Sequence, residues 1–381
     1  MNTRGYYIME KGLTSIEVKK LNKKNIYKYI YYSRKTAKQE IANNLQMGLT
    51  TVTQNIKLLE QEGLIQRNDF YQSTGGRKAY AIEIVKDVKT SIGIEVLKNQ
   101  LYIVCIDLYG HIIARKMLDL AFEDSVAYCQ KIGQLLEQFI TQHHIISHNI
   151  LGVTIILQAI ISKDGKNIIY DKLLNHDSLT LDDFQKYIPY PCRFEHDSKA
   201  AAYFECWHKD DLKDAIVLLL NENLGSAIVI DGQVHKGRNV QSGTIEHMII
   251  HPDGPKCYCG QHGCLETYCS MNALSQKVNI KDFFKLLRLN DPKSIEIWHE
   301  YLGHLAFAIH NFHTVLDVPI IISGYLASYM NQNDLNIITR FIQEQSGFIF
   351  DDSYLSISKH GTLAPAIGGA LYDIDQFIQN I

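Results

Sequence analysis

Residues 247–266 read HMIIHPDGPKCYCGQHGCLE, which puts Cys257, Cys259 and Cys264 within eight residues, ten residues after His247. Zn²⁺ takes four tetrahedral ligands from thiolates and imidazoles, and this spacing offers four of that kind. Gly254, Gly260 and Gly263 let so short a loop turn sharply enough to aim three sulfurs inward. The stretch reads as a zinc site of His247, Cys257, Cys259 and Cys264 that anchors its surroundings, Glu266 included. Cys269, five residues after Cys264, is either a substitute ligand or a buried helix residue. Cys105, Cys129, Cys192 and Cys206 are scattered singly and form no secreted disulfide framework.

Around this block lies a chain of 381 residues, 46% hydrophobic and 21% charged, enough for two or three packed cores and too apolar for disorder. No apolar run approaches the roughly 18 residues of a membrane span, and MNTRGYYIMEKGL lacks the apolar core of a signal peptide. The expected compartment is the cytoplasm, with no membrane partner. Charge is unevenly spread. Residues 1–90 hold 16 Lys and Arg against 8 Asp and Glu, or +8, which leaves −11 of the overall −3 for the rest. A basic first quarter on an acidic body points to an N-terminal module that meets polyanions.

That module has a recognisable pattern. LNKKNIYKYIYYSRK from Leu21 reads as one helix, TAKQEIANNL as a second and GLTTVTQNIKLLEQEGL as a third. Thr36 and Gln39 form a capping-box pattern for the second, which ends near Gln46. In the third, Val52, Ile56 and Leu59 share one face, while Thr50, Thr53, Gln54 and Lys57 share the other. Hydroxyl and amide groups on such a face hydrogen-bond base edges or phosphates in a major groove about 12 Å wide. Gly63 ends the helix, and LIQRNDFYQ and AYAIEIV alternate as two strands around Gly75, Gly76, Arg77 and Lys78. The glycines allow close backbone approach to a phosphate, and the two cations neutralise phosphates or enter a minor groove. Residues 1–87 therefore read as a winged helix-turn-helix that binds double-stranded operator DNA; 1–20 carry no assignment within it.

From residue 88 the pattern changes. IGIEVLKNQLYIVCIDLYGHIIARKML reads as three strands, a helix follows over about 124–143, and ILGVTIILQAII is a buried strand. Strand and helix patterns recur through AIVLLLNENLGSAIVIDGQV and PIIISGYL, giving an α/β body, 88–381, of two lobes with a cleft between them.

The order of winged helix, GGR wing, IGIEVLKN, FEHDSKAAAYFE, NENLGSAIVIDG, SGTIEHM and CYCGQHGCLETYCS resembles the ROK family (repressors, uncharacterised frames and sugar kinases), in particular its xylose-type and N-acetylglucosamine-type repressors. The resemblance covers nearly the whole chain from Leu21. It implies an actin-like (ribonuclease H-like) fold of two lobes, a sugar held between them, and a zinc site supporting the sugar pocket. By the same resemblance His247 gives one ring nitrogen to zinc and turns the other to a sugar hydroxyl, and Glu266 accepts hydrogen bonds from sugar hydroxyls. Asp197 matches the aspartate that is a general base in kinase members and a sugar ligand in repressors.

Several positions depart from the family pattern. Where kinase members carry a glycine-rich phosphate cradle, this chain has Asn221, Glu222, Asn223, Leu224, Gly225, Ser226 and Ala227. Side chains there block close backbone approach, and Glu222 repels phosphate. Glu95, Leu97, Lys98 and Asn99 replace the family's Asp, Gly, Gly and Thr, and Ser323–Gly324 replaces a glycine pair. His196, Thr244 and Glu246 stand for Asn, Glu and Gly in the sugar pocket, which changes its hydrogen-bonding set. The expected ligand-binding residues are His196, Asp197, Thr244, His247 and Glu266. The expected function is a repressor of carbohydrate genes, a homodimer or homotetramer released or tightened by a carbohydrate effector, with no catalytic residue. The alternative is an ATP-dependent sugar kinase with an appended DNA-binding domain.

Overall fold

The computed structural model describes residues 14–71, 79–174, 179–207, 209, 212–347 and 352–381. They fall into two compact units. One holds the described residues up to Lys89 together with Ile374–Ile381, and the other is Thr90–Asp373.

In the first unit, Thr14 caps helix α1 (Ser15–Ser33) through a capping box with Glu17, so the helix begins well before Leu21. Ile26, Tyr27, Ile30 and Tyr31 form its buried face, and Tyr27 meets Phe377 edge-on at 6.3 Å. Helix α2 (Lys38–Asn44) differs from the expected capping. Its N-cap is Ala37, because the Thr36 backbone forms an antiparallel bridge with Ile82 and the Thr36 hydroxyl donates to Glu40 at 2.9 Å. Helix α3 (Leu49–Gln61) buries Val52, Asn55, Ile56 and Leu59. Gly63 turns the chain out at φ +69°, and β1 (Ile65–Tyr71) pairs antiparallel with β2 (Ala79–Ile84). Three helices followed by a two-stranded hairpin is the winged helix-turn-helix arrangement.

The second unit repeats one design twice. In the first lobe β3 (Thr90–Val96), β4 (Gln100–Ile106) and β5 (Ile112–Asp119) form an antiparallel meander, and β6 (Ile150–Leu157) joins β3 in parallel. A small hairpin, β7 (Ile160–Ile161) with β8 (Ile168–Tyr170), follows, and β9 (Cys192–His196) closes the sheet beside β6. The order is β5-β4-β3-β6-β9. In the second lobe β10 (Ala215–Leu220), β11 (Leu224–Ile230), β12 (Gln233–Val234), β13 (Ile320–Ser323) and β14 (Leu355–Ile357) take the same order and sense, β12-β11-β10-β13-β14. Two sheets of identical topology are the mark of the actin-like, ribonuclease H-like architecture.

Helices cover the sheets where the strands are apolar on both faces. Helix α4 (Val126–Gln142) sets Cys129, Ile132, Leu136 and Phe139 against Ile94, Ile103 and Ile155, and α5 (Leu181–Gln185) adds Phe184. The other face of the first sheet meets α6 (Asp197–Cys206) and the start of α12 (Ala364–Asn380): a β-carbon on Gly93 would overlap the Ala366 carbonyl. In the second lobe α7 (Glu266–Cys269), α8 (Met271–Ser275), α9 (Ile280–Arg288), α10 (Pro292–Val315) and α11 (Gln332–Gln345) gather around Trp298, whose Nε1 donates to Asp334 at 2.7 Å. Trp298, Leu302 and Ile309 of α10 pack with Leu218, Leu220 and Ile322 of the sheet in one core.

One buried acid in this packing yields a stability prediction. Asp373 accepts from Ser91 Oγ at 3.1 Å, and burial pushes its carboxyl up to about 6, against the opposing pull of Arg193. A raised acid is stabilising while protonated, so the contribution is complete below about pH 4 and is lost as pH rises through 6. Asp373→Asn keeps an acceptor for Ser91 and removes the titration. Relative to the variant, the parent should lose up to about 3 kcal/mol between pH 4 and pH 8. Parallel pH profiles in chemical denaturation would remove Asp373 as the cause.

Candidate metal centre and ligand pocket

The loop between β12 and α7 folds back on itself through isolated bridges, Ile249 with Cys264 and Lys256 with His262. Gly263 sits at φ +71°, where a β-carbon would overlap the His251 carbonyl oxygen, so the turn into Cys264 requires glycine. The loop gathers His247, Cys257, Cys259 and Cys264 so that their ligand atoms all lie within 4.8 Å of one another. Cys259 Sγ and Cys264 Sγ are 3.7 Å apart, as are Cys257 Sγ and His247 Nδ1. A tetrahedral ion with sulfur bonds of about 2.3 Å sets its sulfurs ~3.8 Å apart, so the donor set fits a metal ion of zinc's kind. Burial pushes the Cys257 and Cys264 thiols up and the His247 imidazole down, costs that a bound cation would offset. Cys269 takes no part; it is fully buried, with its thiol turned to the Tyr301 carbonyl.

Beside the cluster is a cavity of about 220 Å³. His196, Thr244 and His247 line it, together with Gln158, Gln241, Glu246 and Tyr258. His196 ends β9 and caps α6: its Nδ1 accepts from the Ser198 amide at 3.3 Å and lies 3.0 Å from Asp197 Oδ1. Asp197 is the first residue of that helix and accepts from the Ser198 amide at 2.6 Å; it is buried directly behind His196. Thr244 donates its hydroxyl to the Gln241 carbonyl at 3.0 Å. With Nδ1 turned to the cysteines, His247 keeps Nε2 for another partner.

Glu266 is placed differently from the other four. It opens α7, is buried, and its Oε2 accepts the Leu224 amide at 2.6 Å. Burial pushes its carboxyl up to about 8, against the pull of the Leu224 and Ser270 hydrogen bonds. The acid that does face the cavity is Glu246. Its Oε2 takes a 2.6 Å bond from Ser226 Oγ, and burial pushes it up to about 7. Sequence comparison marks Glu246 only as a replaced glycine, and no local pattern singles it out. Gln158 could have been found, because it follows β6 directly and ligands of open α/β sheets gather beyond the carboxyl ends of strands.

The DNA-facing expectations fall partly within the described residues. Thr50, Thr53, Gln54 and Lys57 are all exposed on one side of α3, and the Thr53 hydroxyl donates to the Leu49 carbonyl at 2.7 Å. Gly75, Gly76, Arg77 and Lys78 lie outside the described residues. No described helix is long and apolar enough to cross a membrane.

Residues 91–373 match the ROK family profile. The chain belongs to the ROK family. It is similar to the xylose repressor of Bacillus subtilis, with 25% identity over 381 residues, covering 96% of this chain and 97% of that one. Among solved structures it is similar to a ROK family transcriptional regulator described as a homolog of the E. coli MLC protein, at a TM-score of 0.74 and 20% identity over 95% of this chain and 99% of that one. It also resembles a ROK family glucokinase from Streptomyces griseus solved with glucose and AMPPNP, at a TM-score of 0.64 and 19% identity over 74% and 98% of the two chains. The fold is thus shared by ROK regulators and ROK kinases.

Within this ROK chain two backbone amides at the loop that would cradle phosphate are already held by side chains. Asn221 Oδ1 accepts the Tyr325 amide at 2.7 Å, and the Leu224 amide is held by Glu266. Gly324, at φ +95° and pressed against Leu220, is the glycine that remains of the expected pair. A phosphate cradle works by pointing free backbone amides at the anion, and these two already have acceptors.

Proposed function

We propose that this chain is a DNA-binding, sugar-responsive transcriptional repressor of carbohydrate genes that transfers no phosphoryl group. The observation that carries the reading is the joining, in one chain, of a helix-turn-helix bearing an exposed polar face on α3 to a two-lobed body in which side chains already hold the Leu224 and Tyr325 amides. Residues 1–87 are the DNA-binding part and 88–381 the sensor. The chain acts on its operator as a homodimer or homotetramer, since paired recognition helices read half-sites about one helical turn apart.

In this reading zinc occupies the cluster of His247, Cys257, Cys259 and Cys264. Its role is to fix the His247 tautomer and ring orientation, leaving Nε2 a defined donor for a sugar hydroxyl. His196, Thr244, Gln241 and Glu246 supply further donors and acceptors around the same cavity, and Asp197 and Glu266 are the further carboxylate ligands, Glu266 also holding the loop at Leu224. Ligand binding favours one arrangement of the lobes and shifts the population toward it. A preference of about 3 kcal/mol between arrangements would change DNA affinity by up to about a hundredfold.

Two measurements test the reading. Genomic fragments retained by the purified protein should lie beside carbohydrate genes, and a cognate sugar should change that retention. A coupled assay of ATP consumption across hexoses, pentoses and N-acetylated sugars should show no turnover; sugar-dependent turnover that disappears in Asp197→Asn would establish a kinase instead.

A further inference from the structure

A second and larger cavity, about 690 Å³, lies in the body between the lobes, roughly three times the size of the one beside the metal cluster. Its walls include Glu95 and Tyr102 of the first lobe and Glu222 and Tyr325 of the second. Gln158 lines both cavities, so the two meet at one side chain.

Glu95 is the decisive residue here. It is 2% exposed, and its Oε2 has no hydrogen-bond partner among the described residues. Burial pushes its carboxyl well up, and nearby Asp197 adds to the shift. A buried polar atom left without a partner is costly, so such an acid on a cavity wall is a standing request for a hydrogen-bonding ligand. Glu222 adds a second acid to the same wall, against the single cation Lys281. The backbone amides of Leu224 and Tyr325, which an anion would need, are already taken by Glu266 and Asn221. A phosphate here would therefore lack those two backbone donors and would meet two acidic side chains. Tyr102 and Tyr325 offer aromatic faces and phenol groups, the surface on which a sugar ring stacks its C–H side.

We propose that the larger cavity is a second sugar subsite, so that the effector is an uncharged disaccharide or longer glycoside with one ring beside His247 and the next ring against Glu95 and Tyr325. This rests on the sugar-responsive reading given above. It makes the place that holds a nucleotide's phosphates in a kinase into a length gauge for a glycan.

Calorimetric titration of the full chain with glucose, xylose and N-acetylglucosamine, and with maltose, cellobiose, sucrose and diacetylchitobiose, tests it. The expected result is at least one disaccharide bound tenfold or more tightly than its component sugars. Filling the cavity with Ser275→Trp, at an exposed lining position, should bring that ratio to about one, and Glu95→Gln should lower it at least threefold. A ratio near one in the parent protein, with monosaccharide bound, overturns the second subsite and leaves the sugar sensor standing. Magnesium–AMPPNP that binds and competes with the disaccharide overturns it in favour of a nucleotide site. If sugars of neither length bind, the sensor reading fails and this inference fails with it.

Discussion

Cys264→Ala is expected to release the zinc proposed for the His247 cluster and to lower the stability of the body by roughly 3–5 kcal/mol, on the order of 10 °C in unfolding midpoint for a unit of this size. In zinc fingers the whole fold depends on the ion, whereas here the knuckle is also held by bridges from Ile249 and Lys256 and by Leu265, which is packed in the second lobe's core. The loss should therefore be partial, with native-like secondary structure kept. Cys269→Ala is the matched control: the same core loses a thiol, yet metal content should remain one per chain, because Cys269 faces Tyr301 rather than the cluster. Metal analysis and thermal unfolding with and without a chelator read both. A Cys264→Ala protein that unfolds at the parent's temperature would show that the ion carries no structural weight.

On the DNA side, Gln54→Ala should cost about 1–3 kcal/mol on the best operator and much less on unrelated DNA, so that sequence preference relaxes. Lys57→Ala, three residues on along the same exposed face, should weaken all sequences alike and reduce the slope of log affinity against log salt by about one. The two variants separate base contact from phosphate contact, and neither touches the buried face of Val52, Ile56 and Leu59. If Gln54→Ala leaves operator preference unaltered, α3 is not the reading element.

Much of this architecture was legible in the residues because periodicity and turn chemistry agreed locally. The face of α3, the hairpin after Gly63 and the strands of both lobes follow from alternation and glycine placement. The start of α1 was legible too, since Thr14 and Glu17 are a cap signature, though it lies in a stretch left unassigned. Thr36 shows the opposite failure. Its spacing to Gln39 looks like a cap, but a bridge to Ile82, distant in sequence, takes the backbone and moves the helix start to Lys38. The candidate metal cluster is written in eight close residues and one histidine, so the loop alone could announce it. The pocket is less readable because its members come from five segments. Glu246 looks like a lost glycine until Ser226 is found against it, and no local pattern shows that Glu266 also accepts the Leu224 amide.

That last hydrogen bond bears on how this chain could change over time. Glycines restored at 221–223 would let the loop turn as a phosphate cradle does, but Glu266 would still hold Leu224, and Glu266 follows the last cysteine of the metal knuckle by two residues. Removing Glu266 first would loosen the knuckle while the loop still carried Asn221 and Glu222. A designer seeking a phosphate cradle here would have to alter the loop and its clasp, one carboxylate on one amide, together.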